Sequence, residues 1–342
     1  MKILSVVAAV FGLCALAGLV LYFGLDAVLA SLQAMGVAGF AAMCGIHLGL
    51  IVVMGGAWRA LLPGTPVLMP IWGRLVRDAG SEVLPLSQVG GYVLGARAVT
   101  LAGVSGAMAA ASTIVDVSLE FFAQIAYTAF GLVWLLRLRP DSPAAVPIMV
   151  GLAGACTLAA GLLFAQRRGF SYVDRLTGAL GDGWADRTAS GATALHEAIA
   201  AIYRNRSGVW LSFVLHLACW VASAAEAWIA LRLAGVEIGF TAVLVLECLL
   251  SAVRSVVFLV PNAVGVQEGA YILLGASFGL SPEMALALSL LKRGRDLALG
   301  LPALASWQWL EGGRLQQRLE RRLGRHKARA GVPVAARSDW TS

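Results

Sequence analysis

Apolar runs of bilayer-spanning length recur along this chain, and no other feature restricts its fold so strongly. Ile3 to Gly24, Gly36 to Trp58, Gly106 to Leu136, Val146 to Gln166, Val209 to Leu231 and Phe240 to Val260 each match or approach the roughly 20 residues a helix needs to cross the hydrocarbon core. At that depth every backbone N–H and C=O must bond within the protein, which leaves helices or a closed barrel. The alternating short strands of an outer-membrane barrel are absent from the pattern. A composition of 59% hydrophobic and 13% charged residues, with mean hydropathy +0.80, points the same way. The expected fold is all-α and polytopic, with six to eight transmembrane helices. One transmembrane domain covers 1–310, its halves 1–166 and 208–310 joined by a polar loop at 167–207, and a basic tail follows at 311–342.

Charge sets the orientation. The net charge is +7, and the segment from Glu311 to Ser342 holds eight Lys/Arg against three Asp/Glu. Five of the seven excess charges therefore sit in that tail, which is positive-inside bias rather than a nucleic-acid footprint. Ile3 to Gly24 continues past the cleavage-like Ala15-Leu16-Ala17 and is expected to be a retained first span. Asp26 to Met35 is expected to be a short amphipathic connector. Both termini are placed in the cytoplasm. Cys14, Cys44, Cys156, Cys219 and Cys248 lie in apolar runs without a C-x-x-C pair, so they read as small core residues and not as metal ligands or disulfides.

Two stretches break the apolar pattern. The first runs from Arg77 to Arg97, RDAGSEVLPLSQVGGYVLGAR. Pro85 removes a helical hydrogen bond, and Gly90-Gly91 permits close backbone approach. Glu82, Ser87 and Gln88 are thereby expected at membrane depth on non-helical, re-entrant chain, which is tolerated only inside protein or beside a wet cavity. The second, LVPNAVGVQEG, contains Pro261, Asn262, Gly265, Gln267 and Glu268. It repeats the same grammar: an apolar lead, Pro, a short polar patch, Val-Gly, and a tyrosine soon after (Tyr92, Tyr271). A matched pair of interrupted segments, one in each half, is the pattern of a transporter's central site.

Further polar residues fall inside the spans. Asp116, Glu120 and Gln124 are spaced i, i+4, i+8 and share one helix face. They form either a packed seam or the wall of a hydrophilic path, the latter favoured by two acids at membrane depth. His216 and Glu226 lie near one face of a later span, and no second His stands at ligand spacing, so no metal is expected. Glu247 and Arg254 are expected either to pair through a neighbouring helix or to line a charged lumen. Lys292, Arg293, Arg295 and Asp296 lie in the middle of the region Glu283 to Leu310. Each such charge costs about 2.5 to 3.5 kcal/mol at a helix centre. The cluster must face acids, water or an anion, unless the chain dips to the surface there and divides two short spans.

The motifs of hydrolases, nucleotide-binding loops and zinc proteases are missing, and the acids are spread over several helices. That distribution suits a cavity. Arg254, Arg293 and Arg295 facing Asp116, Glu120, Glu226, Glu247 and Glu268 would hold a polar headgroup while the acids carry protons. The expected activity is movement of an amphipathic lipid, with no cofactor.

The ordered set EVLPLSQVGGYVLGAR, VDVSLEFFAQ, FLVPNAVGVQEG and SLLKRGRD resembles the flippase-like transmembrane region of the lysylphosphatidylglycerol synthase family. RLVRDAGSEVLPLSQVGGYVLGARA and STIVDVSLEFFAQIAY resemble its hopanoid-biosynthesis-associated subgroup more closely. The resemblance implies a bacterial inner-membrane protein that translocates or traffics a hopanoid or anionic phospholipid, or that partners lipid-modifying enzymes without catalysing. It matches at Glu82, Pro85, Gly90, Gly91 and Arg97 in the first half and at Pro261, Gly265, Glu268 and Arg293 in the second. The chain has no aminoacyl-transferase domain after the transmembrane region, so lysine transfer is not expected.

Overall fold

The computed structural model describes residues 22, 25–83, 87–142, 145–168, 182–256 and 263–329. Among the described residues there are ten α-helices and no strands: α1 (Leu25–Leu61), α2 (Leu68–Val83), α3 (Ser87–Leu101), α4 (Gly106–Leu138), α5 (Ala145–Arg168), α6 (Asp182–Arg204), α7 (Arg206–Leu233), α8 (Phe240–Val256), α9 (Val266–Ala276) and α10 (Pro282–Arg329). Four segments, Leu29–Leu61, Gly106–Leu138, Ala145–Gln166 and Arg206–Leu233, are long and apolar enough to cross a membrane. The all-α polytopic class therefore holds. The expected first span apart from Tyr22, together with Pro85, Pro261 and Asn262, lies outside the described residues.

Some local expectations hold and others change. Asp26 to Met35 is helical, and non-helical Gly36 sets it off from the longer limb of α1, at the boundary expected between connector and second span. There φ is 62°, a value glycine adopts without the Cβ clash other residues meet. Glu82, Ser87 and Gln88 are likewise helical, in the last turn of α2 and the first turn of α3.

α2 and α3 form an antiparallel hairpin whose backbones nearly touch. A Cβ on Gly91 would stand 2.0 Å from Ser81 Oγ and 2.4 Å from the Arg77 carbonyl oxygen. Gly95 faces the Arg77 side chain in the same way, and Gly55 of α1 lies against the backbone of Ile71. Small residues at these crossings let helices pack where lipid supplies no hydrophobic drive for association.

α8 and α9 form the counterpart in the second half. Glu268, in the first turn of α9, reaches back to accept a hydrogen bond from the backbone N–H of Gly265 at 2.7 Å. This satisfies a helix-start donor that would otherwise be orphaned. The largest core cluster joins this region to α1, α7 and α10 through Met43, Leu231, Leu246, Tyr271, Leu286 and Leu288.

α10 is one continuous helix through its charge cluster, with Pro302 inside it, so the alternative of two short spans divided at Lys292 to Asp296 does not occur. It packs against α1, α2 and α9, and its helix runs on into the segment expected as a tail. The segment expected as a polar loop carries the helix α6. Its Ala198, Ile199 and Ile202 pack on Leu61, Val115 and Leu119. Of the cysteines, Cys219 and Cys248 are buried as expected, whereas Cys156 is exposed on α5.

Candidate functional site

Two buried charge networks lie one above the other along α7. Its His216 belongs to the first and its Glu226 to the second, ten residues or about 15 Å apart along the helix.

In the first network α2 contributes two arginines and α4 two acids. Arg74 donates to both oxygens of Glu120, at 3.0 and 2.7 Å, and through Nε to Asp78 at 2.8 Å. Arg77 donates to Asp116 at 2.6 Å and also to Glu120. The other oxygen of Asp116 lies 3.0 Å from His216 Nε2. Asp116 is completely buried, and such a carboxylate persists only because each oxygen has a partner. The Arg77 guanidinium also sits 4.9 Å from the Tyr92 ring centroid, a cation–π contact that ties α3 to the network.

The second network is built around α10. Arg295 donates to Glu226, whose second oxygen lies 3.2 Å from His47 Nδ1, and to Asp296 at 2.9 and 2.6 Å. Lys292 Nζ lies 2.7 Å from both oxygens of Glu247, which also accepts from the Tyr271 hydroxyl at 2.6 Å. Arg293 donates to Glu268 at 2.6 Å, and Gln267 and Ser289 extend that pair at 2.8 and 2.9 Å. Lys292 stands 5.5 Å from the Tyr271 ring centroid. The two networks share a design: a carboxylate bridges an arginine and a histidine (Asp116 and Glu226), and the tyrosine of each broken segment lies under a cation.

The late basic cluster thus faces acids, the first of the partners expected for it. Glu247 and Arg254 do not pair with one another. One helical turn of α8 carries Glu247 to Lys292 and Tyr271, while Arg254, two turns on, is exposed at the end of the helix.

The two halves come together near Glu82, where α2 packs against α10. Glu82 ends α2, and Arg254 of α8 with Arg293 and Asp296 of α10 lie within Coulombic reach of it. Its Oε2 is buried, with no hydrogen-bond partner among the described residues. Gln88 is exposed and Gly90 half-buried. Arg97, by contrast, lies at the other end of the hairpin and donates to Glu311 of α10 at 2.6 Å. Sequence reasoning placed Arg97 in the site; the structure places it beside α10, away from Glu82.

Arg74, Asp78, His47, Lys292, Tyr92 and Tyr271 are network members outside the expected site. The i, i+3, i+4 run of Arg74, Arg77 and Asp78 was a usable signal, since it puts three charges on one helical face. His47 carried none, because its partner Glu226 is 179 residues away. No group of three or more His, Cys, Asp or Glu among the described residues is arranged to hold a metal.

Neither the curated proteins nor the solved structures contain a match to this sequence. The model of the lysylphosphatidylglycerol synthase TM region, however, matches residues 3–303. That range takes in both broken segments and both networks, so the chain belongs to the lysylphosphatidylglycerol synthase transmembrane-region family.

Proposed function

We propose that this protein moves an amphipathic lipid, a hopanoid or an anionic phospholipid, between the leaflets of a bacterial inner membrane. The headgroup passes the junction of the two hairpins while the tail stays in the bilayer. Both termini face the cytoplasm, and the protein performs no covalent chemistry.

The observation that carries this reading is the buried Glu82 Oε2, without a hydrogen-bond partner among the described residues, with Arg254, Arg293 and Asp296 of the second half within Coulombic reach of it. Helices α2, α8 and α10 from both halves bring ionisable groups to one place. Apolar helices alone need none of them, and each is costly in lipid. Arginine suits a phosphate because its planar fork donates two parallel hydrogen bonds. A carboxylate with an open oxygen suits an amine or hydroxyl donor. Glu247, Glu268, Asp116 and Glu120 are already held by cations, and they keep the walls of the path in place.

The test is a proteoliposome assay with a labelled phospholipid and a leaflet-selective quencher. Wild-type protein is expected to exchange the label between leaflets, and Arg293→Ala, Arg254→Gln and Glu268→Gln to reduce exchange at least tenfold. Exchange at the wild-type rate in all three variants would remove the site assignment, and no exchange by the wild-type protein would remove the function.

A further inference from the structure

We infer that Glu82 is the proton-exchange residue of this path, which makes lipid movement proton-linked; the inference rests on the proposed lipid translocation. Among the buried and half-buried acids the difference is one of partners. Asp116, Glu120, Glu226, Glu247 and Glu268 each stand in an ion pair with Arg77, Arg74, Arg295, Lys292 or Arg293. Glu82 has no ion pair of that kind among the described residues, and its Oε2 is buried without a hydrogen-bond partner. A charged carboxylate with one oxygen buried and left without a donor is disfavoured, and taking up a proton relieves the charge.

Its surroundings make the proton exchangeable rather than permanent. The charged groups within reach are Asp78 on α2 itself, Arg254 at the end of α8, and Arg293 and Asp296 on α10. Two cations favour the carboxylate and two acids favour the carboxylic acid, so a modest change in their number tips the balance. A headgroup phosphate that engages Arg254 draws off one cation and favours protonation. A headgroup amine at Glu82 does the reverse. Asp78, one turn earlier, is about 30% exposed. The step is simple: a hydronium ion gives its proton to a Glu82 carboxylate oxygen and leaves water, and the proton returns to water when the carboxylate re-forms.

Infrared difference spectroscopy on detergent-purified full-length protein, titrated with pH, reads the carboxylic-acid C=O stretch without requiring transport. Wild-type protein is expected to show one titrating band that Glu82→Gln abolishes. Asp296→Asn, which removes a like charge, is expected to lower the midpoint of that band, and Arg254→Gln to raise it. A band unchanged by Glu82→Gln, or midpoints that move the opposite way, would overturn the assignment. In proteoliposomes, wild-type exchange is expected to vary with pH at least fivefold and Glu82→Gln exchange to be flat. Should the wild-type protein move no lipid while the infrared band behaves as described, translocation fails and the proton site stands. Should wild type and Glu82→Gln share one pH profile, the proton linkage fails and translocation stands.

Discussion

A charged residue in this protein matters according to what surrounds it, and two arginines twenty positions apart show the range. Arg77 is buried and bonded to Asp116, Glu120 and the Tyr92 ring. Removing one member of such a group leaves the other charge buried and alone, which typically costs about 3 to 5 kcal/mol. Asp116→Ala is therefore expected to lower unfolding stability by about that much, measured by denaturant unfolding in detergent. The double variant Arg77→Met with Asp116→Leu should recover a large part of the loss, because no lone charge is left at that contact. Arg97 offers the contrast. Its pair with Glu311 is 38% and 31% exposed, and exposed pairs contribute about 0 to 1 kcal/mol. Arg97→Ala should change stability by less than about 1 kcal/mol in the same assay.

At the scale of the elements, contact between helices is set by what is absent from them. The α2–α3 hairpin depends on Gly91, where an added methyl would meet the Arg77 carbonyl oxygen at 2.4 Å. Backbone cannot turn aside as a side chain can, so the hairpin would have to splay. Overpacking of this kind costs about 1 to 3 kcal/mol, and Gly91→Ala is expected to lower the thermal midpoint accordingly. Because the same hairpin carries Arg74 and Arg77 on one limb, lipid exchange should fall with it. Gly151 on α5 has nothing within 4 Å of the same position. Gly151→Ala should therefore be neutral, or slightly stabilising through better helix propensity. Equal losses for both variants in the thermal assay would mean that close approach at Gly91 is not what holds the hairpin.

Across the whole molecule, burial divides the described cysteines by environment. Cys219 and Cys248 lie in the protein interior and Cys156 on the outside of α5, whose span is almost entirely uncovered by other helices. With single-cysteine variants in membranes, a lipid-soluble maleimide is expected to label Cys156 and to leave Cys219 and Cys248 unmodified until the protein is unfolded. Labelling of Cys248 in the native protein would contradict the packing of α8 against Gly131 of α4, where the Cβ added to the glycine would lie 2.3 Å from Cys248 Cβ. α10 joins the halves, bonding to α2 through Trp72 and Ser306 at 3.0 Å and to α9 through Glu268 and Arg293 at 2.6 Å.

The amino-acid sequence by itself determined the all-α membrane class, the two interrupted segments and the need of the Lys292 to Asp296 cluster for partners. All three follow from local quantities: the length of an apolar run, the missing N–H of proline, and the cost of a charge at membrane depth. Tertiary structure alone decided which acid meets which base. Arg77 finds Asp116 across 39 residues and His47 finds Glu226 across 179, and no periodicity connects them. It also decided that residues 77–83 and 87–97 of the stretch from Arg77 to Arg97 are helical, not extended chain. Helix satisfies backbone groups within a segment, and only the close approach allowed by Gly91 and Gly95 makes the two limbs one hairpin. Coulomb attraction has no sequence period, so ion pairs formed across a fold are invisible until the fold has brought their helices together.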